Sequence, residues 1–124
     1  MSDPIFHIAV VREWQDAQSA YRPDRFAEDG FIHCSTASQI MHTARRLFRG
    51  RTDLVVLRID PDVVDCEIRH ENLEGGDELY PHIYGELDLS AISGLEALVI
   101  GADGEFITPT LLVPVRSAGA ALAH

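Results

Sequence analysis

Apolar residues along the chain fall into short runs whose period changes, and the changes mark the elements. Residues 5–11, IFHIAVV, form an apolar run rich in β-formers and of strand length. VREWQDAQSA then predicts a short helix with Val11, Trp14 and Ala17 or Gln18 on one face. YRPDRFAEDG reads as a loop, because Pro23 stops regular structure and Asp29-Gly30 is a turn signal. A short strand follows over 31–34. The next helix is the clearest element: Thr36 and Gln39 have capping-box spacing, and Ile40, Ala44, Leu47 and Phe48 share one face. Gly50 stands where a left-handed C-terminal residue is wanted.

DLVVLRID predicts a buried strand closed by Asp60-Pro61, with a second short strand over 66–70. ENLEGGDELYP is a polar loop that delivers the chain to His82. In HIYGELDL the residues alternate, so His82, Tyr84, Glu86 and Asp88 point one way, and Ile83, Leu87 and Leu89 the other. Ser90 is placed to cap a helical turn, and two strand-like runs then flank Ala102-Asp103-Gly104, a hairpin signal. The pattern predicts one α+β domain over residues 1–114 and an Ala-rich, flexible tail over 115–124.

Composition narrows the function classes. A chain of 124 residues, 46% hydrophobic and 24% charged, has room for a single core. No apolar run approaches the roughly 18 residues of a membrane span, and MSDPIFH is no secretory signal, so a cytoplasmic protein is expected. A net charge of −10 argues against a general nucleic-acid surface. Arg45, Arg46, Arg49 and Arg51 gather near the end of one helix, where cations are favoured anyway; a phosphate contact is the sharper reading. Cys34 and Cys66 fit no CxxC motif and are expected to be free thiols.

Three histidines sit in apolar strands, at His7, His33 and His82, where a purely structural strand would use Val or Ile. The bland reading is that each is a core residue satisfied by a backbone carbonyl. If the three strands lie side by side, however, their polar faces line one cleft of imidazoles and hydroxyls suited to a polar ligand. Ser35 and Thr36 are helix caps that also stand at a helix start, and Tyr84-Gly85 fits packing beside a bulge. Metal binding through His7, His33, Cys34 and His82 competes, but no HxH, HxxxH or CxxC pair supports it, so no metal is expected. A Cys34 nucleophile also competes, although His33 and Cys34 point to opposite faces of a regular strand.

The segments IFHIAVVREW, DGFIHCST, DLVVLRID and YPHIYGELDLSAI, in that order and followed by DGEFITP, resemble the DUF952 family over about residues 5 to 110. That family in turn resembles the ADP-ribosyltransferase superfamily, whose fold is a split β-sheet with two halves that clamp NAD. The resemblance implies NAD or a related nucleotide as ligand and substrate. His7 would then anchor a ribose hydroxyl, and His33 with Ser35 would fill the second strand's position. His82, Tyr84 or Glu86 would fill the third, with His33, His82 and Glu86 catalytic and Ser35, Thr36, Tyr84 and Gly85 binding. Glu86 lies in YGELD, where the family often carries Pro, a departure that bears on its role as an acid. The alternatives are a non-catalytic ligand-binding or interaction module of the same fold and, third, a metal-dependent hydrolase.

Overall fold

Strand β1 (Ile5–Val10) runs antiparallel to β4 (Leu54–Ile59), and β4 pairs on its other side with β8 (Ile92–Ala97). The structure, a computed structural model, describes residues 2–73 and 75–112. β1 and β4 are apolar on both faces because each face is covered. Ile5 and Ala9 pack with Tyr21, Ile32 and Ile83 in one core cluster, while Phe6 and Ile8 pack with Ile40 and Ala44 in another.

A second three-stranded sheet has the order β3 (Ile32–His33), β6 (Tyr80–Tyr84) and β5 (Glu67–Glu71), all antiparallel. A backbone bridge stitches the two sheets together. Phe6 and Ser35 exchange both backbone hydrogen bonds at 2.8 Å, just after β3 ends. A two-stranded ribbon of β2 (Ala20–Tyr21) and β7 (Leu87–Asp88) completes the β structure. The domain is therefore α+β, with its strands divided among three small sheets.

Helix α3 (Ile40–Phe48) lies against the first sheet through Ile40 and Ala44. Its entry is half of the expected capping box: the Gln39 side-chain oxygen accepts from the Thr36 N–H at 3.0 Å. The Gln39 amide then donates to Glu78 and to the Leu79 carbonyl, which ties the helix start to the loop leading into β6. Gly50 has φ +85°, as its place after the helix requires. Leu47, expected on the buried face, is 53% exposed.

Several boundaries differ from the sequence reading. The first helix, α1 (Val11–Gln15), is short; β2 straddles the boundary between the stretches read as helix and as loop, and the loop segment contains a one-turn helix α2 (Phe26–Asp29). The alternation of HIYGELDL is not one strand. β6 ends at Tyr84, and β7 belongs to another sheet. The turn at Leu89–Ala91 is capped by the Asp88 carboxylate, which accepts from the Ser90 N–H, rather than by Ser90. β8 begins at Ile92, ahead of the strand-like run expected from Glu96, and the hairpin around Gly104 is reduced to one bridge, Ile100 with Phe106. The tail over 115–124 lies outside the described residues.

Candidate functional site

The stitch at Ser35 and the β3–β6 pairing together bring the three strand histidines to one place. His33 and His82 are direct cross-strand partners, and His7 reaches across from β1. All three border one cavity of about 460 Å³, together with Ser35, Tyr80 and Phe48. That volume lies within the roughly 300–1,000 Å³ of small-molecule sites.

His7 is buried and held at both ring nitrogens. Nδ1 lies 2.6 Å from the His33 carbonyl, and Nε2 lies 2.8 Å from the Tyr21 hydroxyl. A carbonyl only accepts, so Nδ1 carries the proton and the Tyr21 hydroxyl donates to Nε2. Burial lowers the His7 pKa from 6.5 to about 4, so the ring is neutral near pH 7. Burial likewise pushes the Tyr21 phenol well up. His7 is thus a braced wall of the cavity, with neither nitrogen left over for a ligand.

His82 is 2% exposed, and its ring stacks on Phe31 at 4.2 Å. Its Nδ1 donates to Glu71 Oε1 at 2.9 Å, and the Tyr84 hydroxyl donates to the same oxygen at 2.6 Å. Those two bonds, Tyr84 first and His82 second, hold the Glu71 carboxyl below its ordinary pKa. With the proton fixed on Nδ1, Nε2 is an acceptor. It has no protein partner among the described residues, yet no buried side-chain nitrogen or oxygen there is orphaned, so Nε2 meets the cavity.

His33 is different in kind. Its side chain is 48% exposed, its Nε2 bonds Asp29 Oδ2 at 3.1 Å, and its ring stands edge-on to His82 at 5.3 Å. Burial opposes ionisation of Asp29, but hydrogen bonds from Arg25 and His33 outweigh it and lower the carboxyl's pKa. Phe31 lies against both imidazoles, at 4.6 Å from His33, and keeps their spacing fixed.

The remaining sequence candidates divide. Ser35 reaches the cavity wall, but its hydroxyl is engaged with Thr43 at 3.0 Å. Thr36 bonds Ser38 and lies outside the wall. Tyr84 is turned onto Glu71, with the Arg69 guanidinium 4.5 Å above its ring, so it does not face the cavity either. Gly85 has no place in the wall; it backs onto Cys66, where a Cβ would come within 2.8 Å. Glu86 is a correction: it is exposed, lies beyond the end of β6, and faces Arg22 at 3.9 Å. Cys34 is buried, and burial pushes its thiol pKa well up, which removes the thiolate a nucleophile needs. Among the described residues no three His, Cys, Asp or Glu side chains are grouped to hold a metal ion.

Four residues that shape the site were not singled out in the sequence. Asp29 stands four before His33, a spacing that hinted at the pair. Tyr21 and Phe31 lay in segments read as loop and as plain strand. Glu71 lay at the edge of a polar loop, and nothing local marks its contact with His82 across β5 and β6. Of the arginine cluster, Arg46 and Arg51 border the cavity, while Arg49 pairs with Glu105 at 2.7 Å.

The comparisons match this architecture. Residues 8–95 match the model of the family described as a protein of unknown function, DUF952. The chain belongs to the DUF952 family. A crystal structure of protein CC0527 from Caulobacter crescentus is similar with a TM-score of 0.78 at 30% identity, covering 90% of this chain and 99% of that one. A solution NMR structure of CC0527 gives a TM-score of 0.71 at 31% identity, covering 97% of each chain. No curated protein matches. The ADP-ribosyltransferase likeness finds no support in these matches of the DUF952 chain. No helix among the described residues is long and apolar enough to cross a membrane.

Proposed function

We propose that this DUF952 protein binds a nucleotide, NAD foremost, in the histidine-lined cavity. The observation that carries the reading is the open Nε2 of His82 beside His33, two imidazoles available to ribose hydroxyls on one wall. Arg25 and Arg51 border the cavity, each already bonded to a carboxylate, Asp29 and Asp53, and a phosphate would share those guanidiniums. Phe48 and Tyr80 add apolar surface suited to a base.

Isothermal titration with NAD, ADP-ribose and AMP tests the reading. Binding is expected, weakened about tenfold or more by His33→Ala and by His82→Asn. Asparagine keeps a donor toward Glu71 and deletes only the nitrogen that faces the cavity, so the fold is retained. Heat from none of the nucleotides, or from zinc alone, overturns it. Release of nicotinamide from NAD during the titration would mark an ADP-ribosyltransferase-like enzyme, and unaltered NAD a binding module. A transferase here works without Glu86 at the cavity, so Glu86→Gln is expected to leave binding unchanged.

A further inference from the structure

His33 and His82 differ in a way that binding alone does not need. Each has one nitrogen on a carboxylate, but opposite ones: Nε2 of His33 on Asp29, and Nδ1 of His82 on Glu71. Opposite nitrogens, Nδ1 and Nε2, are therefore left, on rings 5.3 Å apart at one cavity. One ring is nearly dry and the other is half in solvent. Such a pair suits a reaction that removes a proton from one oxygen and supplies a proton to another a few ångströms away. In-line displacement at phosphorus has that requirement, and a ribonucleotide diester brings its own nucleophile, the 2′-hydroxyl.

We propose that His82 and His33 are an acid–base pair that cleaves a ribonucleotide phosphodiester by attack of its 2′-hydroxyl, with Glu71 and Asp29 as positioning residues. The inference rests on the nucleotide-binding reading of the same cavity. His82 Nε2 takes the 2′-hydroxyl proton as the bond from that oxygen to phosphorus forms. The bond from phosphorus to the 5′-oxygen breaks, and protonated His33 delivers its Nδ1 proton to that oxygen. The products are a 2′,3′-cyclic phosphate and a nucleoside with a free 5′-hydroxyl. Proton exchange with water resets the pair, and no electron is gained or lost. Arg25, bonded to Asp29 at 3.3 Å and bordering the cavity, is placed to meet the non-bridging oxygens. The solvent side of the pair is His33, so the leaving nucleoside departs where the cavity is open.

The test uses the full chain with adenylyl-3′,5′-adenosine, with products separated by chromatography, and its 2′-deoxy counterpart as a non-cleavable ligand for calorimetry. Adenosine and 2′,3′-cyclic AMP are expected. The rate should fall about a hundredfold or more in His33→Ala and in His82→Asn. Glu71→Gln should lower kcat about tenfold and move the pH–rate profile, whereas a loss of folded protein would lower the rate by the same factor at every pH. Thermal melts of each variant exclude unfolding. If the deoxy dinucleotide or NAD binds while adenylyl-adenosine stays intact, the inference fails and nucleotide binding stands. Cleavage that persists in His82→Asn also overturns it, as the mark of another nuclease. If no nucleotide binds, the reading beneath it fails and the inference with it.

Discussion

A neutral imidazole inside an apolar sheet is tolerated only when both nitrogens are satisfied, and His7 meets that condition through the His33 carbonyl and Tyr21. The cost appears on acidification. The folded pKa is about 4 and the unfolded value is 6.5, so between them the unfolded chain holds the extra proton. Stability from this group is fully present above pH 6.5 and drains away as pH falls toward 4, by about 3 kcal/mol in all. The carboxyls with lowered pKa values, Asp29, Asp53, Asp62, Glu67, Glu71, Asp88 and Glu96, act only further down, through the carboxylate range. Thermal melts between pH 7 and 5 should therefore show falling Tm, and His7→Asn should flatten that slope. A slope that persists in His7→Asn would assign the acid sensitivity elsewhere. Tyr21→Phe removes the donor that His7 Nε2 has among the described residues and should cost about 1–3 kcal/mol by denaturant unfolding.

At the scale of elements, the decisive feature is where β6 stops. The run from His82 to Asp88 alternates without a break, and periodicity alone extends one strand through it. The chain instead turns at Gly85 because it must pass Cys66, whose Cβ and Sγ would lie 2.8 Å from any Cβ added there. Glu86 is carried off the polar face by that turn, and Glu71, one strand over, takes the place at His82. No periodicity in one segment reports a diagonal contact between β5 and β6, which is why Glu71 was invisible while His82 was not. The helix α3, by contrast, was legible because its cap, its apolar face and Gly50 are all local. Gly85→Ala should destabilise by about 1–3 kcal/mol. Adding Cys66→Gly, which removes the opposing atoms, should restore most of it. Equal destabilisation in the single and double variants would show that the close approach is not what fixes the turn.

At the scale of the molecule, the cavity has walls from both three-stranded sheets: Phe6 and His7 from one, His33, Tyr80 and His82 from the other. The sequence carried this only as a conditional. Each histidine strand could be read locally, but their convergence depends on the Phe6–Ser35 bridge and the β3–β6 register, both long-range pairings. A ligand seated there spans the Phe6–Ser35 stitch between the sheets, so its binding energy should stabilise both. At a nucleotide concentration of a hundred times Kd, linkage gives about 2.7 kcal/mol. For a domain of this size that corresponds to a Tm rise of about 10 °C. Hydrogen exchange should slow together in β1, β3 and β6, including the amides of Phe6 and Ser35 that hold the stitch. Protection confined to the sheet of β1, β4 and β8 would put the ligand on the outer face of that sheet. The shared cavity would then have no occupant among the nucleotides, whatever affinity calorimetry recorded.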